Sequence, residues 1–509
     1  MSNTQKIISN KEWILLLLFT AVLFGLFVRF FPTVQAGFPP NDGGMFLSMI
    51  VDLTQSGYIL PEFTSYNQLQ IPFAYPPFGF YVARLLSDIF QFSELNIVRF
   101  LPPLINSISI LVFYFLSSEL LKSKSLGALS SAFYALTPGA FGWFVMGGGL
   151  TRSFGSLFLL LTVLATYQLF QTSEKKYIGF GIVWGGLAVL SHPEAGIHTA
   201  ATCILLWIFF GRTRHSLIHA LYVGIGVLFF TSTWWLTVFN YHGLAPFVSA
   251  LHTGSYGTPF LFAIYKAIVG EELLPMLAGL RILGLGWAVW KGQYFLIAWF
   301  FLPYIIEPRS APSVAFYPLT MLIALAFAEA IPFLFSHWRK INFEELYKNK
   351  IYNFILLFVL IILFIDSSLY GFRLIGNSLK PAEIEAMAWI KANTSSDSKF
   401  LAITGNSSPE IDPFIEWFPA LTKRRNQSTV QGYEWLLGEQ FFERYSDLAD
   451  LQKCESVGCI EAWSERTGLD YHYVVIAKTH LAENLFQSFD EMNSYTQIYD
   501  LNEIAIYEK

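Results

Sequence analysis

Charged residues are scarce in this chain of 509 residues: Asp, Glu, Lys and Arg together make up 14%. Soluble proteins average about 25% charged residues. A chain this poor in charge lacks the polar surface that a soluble fold needs, so the composition excludes an ordinary soluble domain. Apolar residues take their place, because 54% of the chain is hydrophobic and 17% is aromatic, with 50 Phe and 14 Trp. The composition therefore predicts an integral membrane protein.

Cysteine is also rare, with three residues in the whole chain. Cys203 lies inside an apolar run and is predicted to be an inert apolar filler. Cys454 and Cys459 lie in a part of the chain that is predicted to be outside the membrane, where a disulfide is permitted. Two free thiols are an equal alternative, because one pair of cysteines at this spacing specifies little.

Long apolar runs, in contrast, recur along most of the chain. The first run, residues 13–31, is long enough to span a bilayer and has no small-residue cleavage site after it, so we expect a retained helix. Ten further runs cover residues 97–121, 126–145, 153–170, 178–190, 195–210, 217–239, 274–290, 294–306, 314–335 and 351–369. The predicted fold class is a polytopic α-helical membrane protein with about 11 transmembrane helices. Residues 78–90 carry Arg84 and Asp88, which favours an interfacial helix.

Basic residues occur at alternate turns between the apolar runs. They are Lys122, Lys124, Lys175, Lys176, Arg212, Arg214, Lys291, Arg339, Lys340, Lys348 and Lys350. The positive-inside rule places these turns in the cytoplasm. The other turns are then outside, among them the loop 147–152 and a long loop over 241–272. The N-terminus is cytoplasmic, and an odd number of spans leaves the C-terminal region outside. We therefore expect a multi-pass protein of the cell (plasma) membrane whose chemistry is on the outer face.

Charge is divided unevenly between two parts of the chain. From Phe372 to the end, acidic residues outnumber basic ones by 21 to 12, whereas before Phe372 basic residues outnumber acidic ones by 20 to 16. The pattern predicts a transmembrane domain over residues 1–371, with a first outer loop over 32–96, and a small extracytoplasmic α/β domain over 372–509. Within that domain we expect helices over 381–392 and 481–489 and strands over 399–404, 471–477 and 504–507.

The most informative segment follows the first apolar run and reads Phe38-Pro39-Pro40-Asn41-Asp42-Gly43-Gly44. Two prolines stop a helix, and two glycines let the backbone turn sharply around the carboxylate of Asp42. Asp42 could cap the helix that starts at Gly43. It could also be a carboxylate held at the mouth of a membrane cavity, and the two functions are compatible.

Other polar residues collect on the predicted outer rim, among them Arg152, His192, Glu194 and Arg309. An ionisable group at a membrane boundary is costly unless it is hydrated or paired, so each is a candidate site residue. The alternative for the two arginines is that they extend to lipid headgroups from helix ends. For His192 and Glu194, which flank a proline, the alternative is that they only end one helix and begin the next.

Three short segments resemble a known family. They are Asp42 just past the first span, Tyr75-Pro76-Pro77 at the end of the first outer loop, and a late stretch with Arg309 followed by Tyr317-Pro318. Together with the many spans and the C-terminal outer domain, they resemble the GT-C class of glycosyltransferases, of the protein mannosyltransferase or aminoarabinose transferase type. These enzymes use sugars linked to polyprenyl phosphate. No D-x-D or E-x-D pair occurs in a predicted outer loop, which departs from the oligosaccharyltransferase branch and favours the metal-independent branches.

The resemblance implies an inverting enzyme that transfers a hexosyl or pentosyl group from a polyprenyl-phosphate donor to an acceptor hydroxyl on the outer face. Asp42 would be the catalytic base, and Arg309 and Arg152 would bind the donor phosphate. Candidate substrate-binding residues are Tyr75, His192, Glu194 and Tyr317. No metal or other cofactor is expected. The expected partners are the polyprenyl-phosphate-linked sugar, an acceptor that is a glycan, lipid or protein, and the membrane, but no nucleic acid.

Two other classes of protein fit the composition. A polytopic transporter or lipid-linked-sugar flippase usually has charges near the middle of its spans, on the substrate path. Here the charges gather on one rim, which favours an enzyme. A membrane scaffold with an outer recognition domain would leave Asp42 without a function.

The orientation is testable by labelling with a membrane-impermeant thiol reagent. We expect cysteines introduced into the C-terminal region to react from the outside, and cysteines introduced beside Lys175 to react only after the membrane is opened, because the basic turns are cytoplasmic. The opposite pattern would contradict both the orientation and an outer-face site.

Overall fold

The structure is a computed structural model that describes residues 9–252, 260–270, 275–336, 348–477, 483–490, 492, 494–501 and 503–509. Three sequence predictions fall partly outside these ranges. They concern Arg339 and Lys340, parts of the outer loop expected before the span at 274–290, and the first two residues of the helix expected over 481–489.

The helices of the first half are α1 (Asn10–Ala36), α2 (Gly44–Gln55), α3 (Phe78–Phe90), α4 (Glu94–Leu120), α5 (Lys124–Leu136), α6 (Gly149–Thr172), α7 (Lys176–Ser191), α8 (Pro193–Leu206), α9 (Arg214–Phe230), α10 (Ser232–His242) and α11 (Ala245–His252). Those that follow are α12 (Phe260–Val269), α13 (Pro275–Trp290), α14 (Tyr294–Ile306), α15 (Ala311–Leu325), α16 (Ile331–Ser336), α17 (Lys350–Gly376), α18 (Pro381–Asn393), α19 (Pro413–Thr422), α20 (Phe441–Leu451), α21 (Val457–Thr467) and α22 (Glu483–Asp490). The strands are β1 (Phe63–Thr64), β2 (Ile71–Pro72), β3 (Lys399–Ile403), β4 (Arg425–Asn426), β5 (Tyr473–Ala477), β6 (Thr496–Leu501) and β7 (Ile504–Glu508).

Six of the helical stretches in the described residues are long and apolar enough to cross a membrane. The pair α9 and α10 meets the same criterion as one span bent by 52°, and α7, α12, α14 and most of α13 are shorter apolar helices. The mostly helical, apolar architecture confirms a polytopic membrane fold. The number of about 11 spans stays a prediction.

Helix α1 leads the chain to the segment around Asp42. It begins with a capping box, in which the side chain of Ser9 accepts from the N–H of Glu12 and the carboxylate of Glu12 accepts from the N–H of Ser9. It ends at Gly37, whose φ of 74° is a left-handed conformation that glycine adopts without steric cost. The end of α1 is therefore set by the local sequence, through the glycine that follows the helix.

Two regions differ from the sequence prediction. The span expected over 126–145 is helical only to Leu136, because Pro138 has no N–H to continue the helix, and the chain goes on as two short 3₁₀ turns, Pro138–Ala140 and Gly142–Phe144. The stretch 241–272, expected to be an outer loop, contains α11 and α12. Both helices are shorter than a membrane span, so the search for runs of spanning length missed them.

The C-terminal region contains a five-stranded sheet with the strand order β4-β3-β5-β7-β6. Strand β3 pairs in parallel with β4 and β5, and β7 pairs antiparallel with β5 and β6. Side chains alternate along β3: Phe400 and Ala402 pack on the side of α18 and α19, and Leu401 and Ile403 pack on the side of α20 and α21. The expected α18, β3, β5, α22 and β7 all occur, with small shifts at their ends. That this region is a separate extracytoplasmic domain beginning at residue 372 stays a prediction, and α17 continues past that position to Gly376.

Cys454 and Cys459 form a disulfide. The structure therefore decides between the two alternatives that the sequence left open for this pair. Cys203 lies in α8 as a free thiol, with its sulfur 3.4 Å from the hydroxyl of Thr166.

The C-terminal region packs directly against the first loop. One apolar cluster contains Phe38 before α2, Phe46 and Met49 in α2, and Phe414 and Trp417 in α19. The ring of Phe38 meets that of Trp417 edge to face, with 4.7 Å between the centroids. This cluster brings α19 to the segment that carries Asp42.

Candidate active site

Asp42 lies in the short connection between α1 and α2. Its neighbours Asn41 and Gly43 have φ angles of 58° and 135°, which asparagine tolerates and glycine adopts without cost. The N–H of Asn41 donates to the carbonyl oxygen of Asn377 at 2.6 Å. The sharp turn that the Pro-Pro-Asn-Asp-Gly-Gly segment predicts is therefore present.

The carboxylate of Asp42 contacts the start of α6. Its Oδ1 accepts a hydrogen bond from the N–H of Gly148 at 3.0 Å, and its Oδ2 forms an ion pair with Nη2 of Arg152. A Cβ atom on residue 148 would overlap both side chains, so this close approach requires glycine. The carboxylate of Asp42 is thus directed to α6 and not to the N–H groups of α2, which rules out the helix cap proposed for it.

Arg152 lies in the first turn of α6, not in the loop that the sequence predicts there, and its residue is 6% exposed. Its guanidinium lies over the ring of Trp143 at 4.0 Å from the centroid and donates to the carbonyl oxygens of Gly148 and Trp143 at 3.1 and 3.2 Å. Cation–π contact and hydrogen bonds compensate for its removal from water. Arg152 therefore neutralises and orients Asp42 at a fixed position.

The helix cap of α2 comes from Glu416 in α19. Oε1 of Glu416 accepts from the N–H groups of Gly43 and Met45, both at 3.2 Å, and Oε2 accepts from the N–H of Gly44 at 3.0 Å. The first N–H groups of a helix have no partner within it, and a carboxylate at this end is favoured by the helix dipole. Sequence reasoning missed Glu416; the available signal was an acid placed among apolar residues in Phe414-Ile415-Glu416-Trp417-Phe418.

A second group of charges lies between α7, α8 and α15. The turn from α7 to α8 holds His192 and Glu194, and Nε of Arg309 lies 3.9 Å from Oε1 of Glu194. His192 is 8% exposed, and its Nδ1 lies 4.0 Å from Oε2 of Glu194. Burial, followed by the positive charges of Arg152 and Arg309, holds the pKa of His192 well below its usual value of 6.5. The imidazole is therefore neutral and adjacent to two guanidinium groups.

The turn that carries Arg309 is fixed by Glu307. Its carboxylate accepts from the N–H of Arg309 at 3.0 Å, from the N–H of Ser310 at 2.9 Å and from the hydroxyl of Ser310 at 2.6 Å. The hydroxyl of Ser310 also lies 3.0 Å from Nε2 of His198 in α8. His198 and Ser310 were missed in the sequence because 112 residues separate them and each by itself is unremarkable.

A small cavity joins the two groups of charges. It is lined by Trp143, Phe144, Arg152, Ser156, Leu159, His192, Glu194, Ala195, His198, Ser310, Ser313, Val314 and Tyr317. Tyr317 is buried, with its hydroxyl 2.6 Å from that of Ser156. The hydroxyl of Tyr75 accepts from Thr151 at 3.4 Å, and its ring lies 5.9 Å from that of His192. The structure thus brings the seven predicted site residues to one end of the helix bundle.

The arrangement combines a carboxylate that can accept a proton with two guanidinium groups that can hold an anion. Asp42 pairs with Arg152, Arg309 lies beside Glu194, and Arg152, His192 and Glu194 line the same cavity. Neutral His192 and the hydroxyls of Ser310 and Tyr317 can donate hydrogen bonds into the same space. Such a site suits the transfer of a group whose leaving group is a phosphate.

Glu416 makes the stability of the protein depend on pH. Burial and, after it, the negative charge of Asp42 raise the pKa of Glu416 from 4.5 to about 8. A carboxyl group whose pKa is higher in the folded state contributes its full stability at a pH below the unfolded pKa and loses it as the pH rises through the folded pKa. We expect the unfolding temperature of the purified protein to fall as the pH rises from about 4.5 to about 8, and to fall less in Glu416→Gln, which does not ionise. An equal fall in both proteins would exclude Glu416 as the source.

The comparisons with known proteins agree with this geometry. Residues 74–236 match the family model described as dolichyl-phosphate-mannose-protein mannosyltransferase. No curated protein sequence matches the chain.

Several solved structures share the fold. The archaeal oligosaccharyltransferase AglB from Archaeoglobus fulgidus, in complex with an inhibitory peptide and a dolichol-phosphate, has a TM-score of 0.55 at 13% identity, over 92% of this chain and 69% of that chain. ArnT from Cupriavidus metallidurans, bound to undecaprenyl phosphate, has a TM-score of 0.53 at 14% identity, over 98% of both chains. The arabinofuranosyltransferase AftD from Mycobacteria has a TM-score of 0.58 at 12% identity, over 98% of this chain and 40% of that chain.

At these identities the structural matches show a shared fold, and they do not show a shared substrate. They agree with the family-model match, which begins one residue before the Tyr75-Pro76-Pro77 segment and includes Arg152, His192 and Glu194. The resemblance inferred from the sequence is therefore confirmed, and this chain has the fold of the GT-C class of membrane glycosyltransferases.

Proposed function

We propose that this protein is an integral-membrane glycosyltransferase that moves a sugar from a polyprenyl-phosphate donor to an acceptor hydroxyl on the outer face of the membrane. The observation that carries the proposal is that Arg152 and Glu194 line one cavity, where Arg152 pairs with Asp42 and Glu194 lies 3.9 Å from Arg309. The acceptor is a glycan, a lipid or a protein, and the transferred group is a hexosyl or pentosyl group.

In the proposed reaction the acceptor oxygen attacks the anomeric carbon while the bond from that carbon to the phosphate oxygen breaks. Asp42 takes the proton of the acceptor hydroxyl as general base. The electron pair of the broken bond stays on the lipid phosphate, which needs no proton if cations hold its charge. One carboxylate is then sufficient, unlike in glycosidases, and attack from the side opposite the phosphate inverts the anomeric configuration.

The two arginines have different proposed functions. Arg309 is 39% exposed in its side chain and lies beside Glu194, which lines the cavity. From there it can reach a phosphate at the membrane surface. Arg152 is engaged with Asp42 and Trp143, so it orients the base and adds positive charge behind the leaving phosphate. The fork of a guanidinium binds phosphate through two parallel hydrogen bonds, which a lysine does not reproduce.

Two of the structural relatives support a lipid-phosphate donor. AglB was solved with a dolichol-phosphate and ArnT with undecaprenyl phosphate. Tyr75, His192, Glu194 and Tyr317 are the proposed contacts to the substrates. That no divalent ion takes part stays a prediction.

Two buried arginines within helices bear on the transporter alternative, because a transporter usually has charges within its spans and not on one rim. In α1, Arg29 is completely buried and donates to Oδ1 of Asn106 at 2.6 Å and to the carbonyl oxygen of Ala135 at 2.7 Å. In α13, Arg281 is 1% exposed and donates to the carbonyl oxygen of Ala267 at 3.0 Å. Both arginines connect neighbouring segments through hydrogen bonds, and neither lines the cavity of the site. They therefore give no support to the transporter alternative.

The proposal is tested by incubating the purified protein with a panel of polyprenyl-phosphate sugars and measuring released lipid phosphate. We expect release by the wild-type protein, and loss of at least about 100-fold in Asp42→Asn, because the amide accepts no proton at neutral pH. Asp88→Asn, which changes an exposed acid paired with Arg84 on α3, is the matched control and should retain activity. Turnover near the wild-type rate in Asp42→Asn would remove Asp42 as the base.

Arg309 is tested by steady-state kinetics over a range of donor concentrations. Loss of a charge-assisted contact to phosphate should cost about 1.5–3 kcal/mol, or roughly 10- to 150-fold in kcat/KM for the donor in Arg309→Ala, with a smaller loss in Arg309→Lys. Arg466→Ala removes an arginine that pairs with Asp447 in the C-terminal region, and serves as the control. If Arg309 only anchors the turn to the headgroups, Arg309→Ala will lower stability and leave kcat/KM of the folded protein unchanged.

A further inference from the structure

We propose that Glu416 is a positioning residue for Asp42, so that the C-terminal region holds the catalytic base in place. The inference rests on the proposed function, because it assigns a kinetic effect to a residue that does not touch the cavity. It gives the region after α17 a part in the reaction that is independent of acceptor binding.

The contacts of Glu416 surround the segment that carries Asp42. Its carboxylate is the acceptor for three consecutive N–H groups, those of Gly43, Gly44 and Met45, which follow Asp42 directly. The residue is 3% exposed. Gly43, the residue at the start of α2, makes no capping bond of its own. Without Glu416, three buried N–H groups would lose their partner.

The next residue holds the other side of the turn. The indole N–H of Trp417 donates to the carbonyl oxygen of Asn41 at 2.7 Å, and the residue is completely buried. Glu416 itself is anchored by Tyr66, whose hydroxyl donates to the Glu416 carbonyl oxygen at 2.6 Å. Two consecutive residues of α19 thus bind the backbone immediately before and immediately after Asp42.

The space around the turn leaves little freedom for another arrangement. A Cβ atom on Gly44 would lie 2.9 Å from the carbonyl oxygen of Glu416, and one on Gly43 would lie 2.9 Å from the ring of Trp417. On the opposite side, the N–H of Gly147 donates to the carbonyl oxygen of Pro40 at 3.0 Å. The turn is therefore enclosed by α19 on one side and by the start of α6 on the other.

The position of a general base controls the rate more than it controls donor binding. A displacement of about 1 Å in a catalytic group can cost on the order of 100-fold in rate. The phosphate contacts proposed for Arg309 lie on another turn, fixed by Glu307. Loss of the cap should therefore lower kcat and change KM for the donor little.

The experiment measures kcat and donor KM for the full-length purified protein and three variants at about pH 9, above the raised pKa of Glu416, where the group is a carboxylate. Glu416→Gln keeps one oxygen acceptor but turns an amide group toward the N–H groups of α2, and Glu416→Ala removes all three hydrogen bonds. We expect kcat to fall roughly 10-fold in Glu416→Gln and roughly 100-fold in Glu416→Ala, with donor KM within about threefold of wild type. Asp412→Asn is the matched control, because Asp412 is a buried carboxylate that caps α19 itself and asparagine caps a helix equally well.

Hydrogen exchange of the peptide that contains residues 41–50, followed by mass spectrometry, is the second measurement. Faster exchange there in Glu416→Ala, together with a lower kcat and normal donor KM, supports the inference. Wild-type kcat in folded Glu416→Ala, or equal losses of kcat in Glu416→Gln and Asp412→Asn, would overturn it. If the wild-type protein releases no lipid phosphate from any donor, the proposed function fails instead; unchanged exchange at residues 41–50 in Glu416→Ala would then reject the cap by itself.

Discussion

The contact between the turn at Asp42 and the start of α6 is the constraint on which the end of the helix bundle with the candidate site depends. It consists of an ion pair with Arg152 and two backbone donors, the N–H groups of Gly147 and Gly148. A buried guanidinium and a carboxylate are tolerated only where each has charged or hydrogen-bonding partners. Because Trp143 and two carbonyl oxygens hold the guanidinium of Arg152 in place, they also fix the position of the carboxylate that pairs with it. The turn after α1 therefore has its position set by α6.

Helix α6 also positions the second group of charges. A Cβ atom on Gly155 would lie 2.7 Å from Cβ of Ala195 and 3.0 Å from Cβ of His192, so glycine allows α6 and the start of α8 to approach closely. One turn from Arg152, Ser156 binds the hydroxyl of Tyr317 in α15. A single face of α6 thus contacts Asp42, His192 and the helix that follows Arg309, α15. The cavity is the space left between these three helices.

Much of the fold was predictable because it depends on local sequence. Apolar length and end signals gave the bounds of α3 without error and those of α18 within one residue. The nearly continuous apolar residues of β3 and β5 are typical of strands that are covered on both faces, and their side chains enter two apolar clusters alternately. The sequence predictions are wrong where local preferences and tertiary packing favour different structures. Residues 137–145 belong to an apolar run that predicts a span. Pro138 and two glycines nevertheless let them form turns that pack against α15 and α17.

By itself, the sequence determined the membrane class, the sharp turn at Asp42 and the kinds of side chain in the candidate site, a carboxylate and two guanidinium groups. These properties depend on composition and on residues within a few positions of one another. Only the tertiary structure decided which charges meet. Asp42 pairs with an arginine 110 residues away, and α2 takes its cap from Glu416, more than 370 residues away. Nothing in the local sequence indicates which N–H groups a distant carboxylate will bind. Glu416 meets the N–H groups of α2 because the apolar faces of α2 and α19 are buried together.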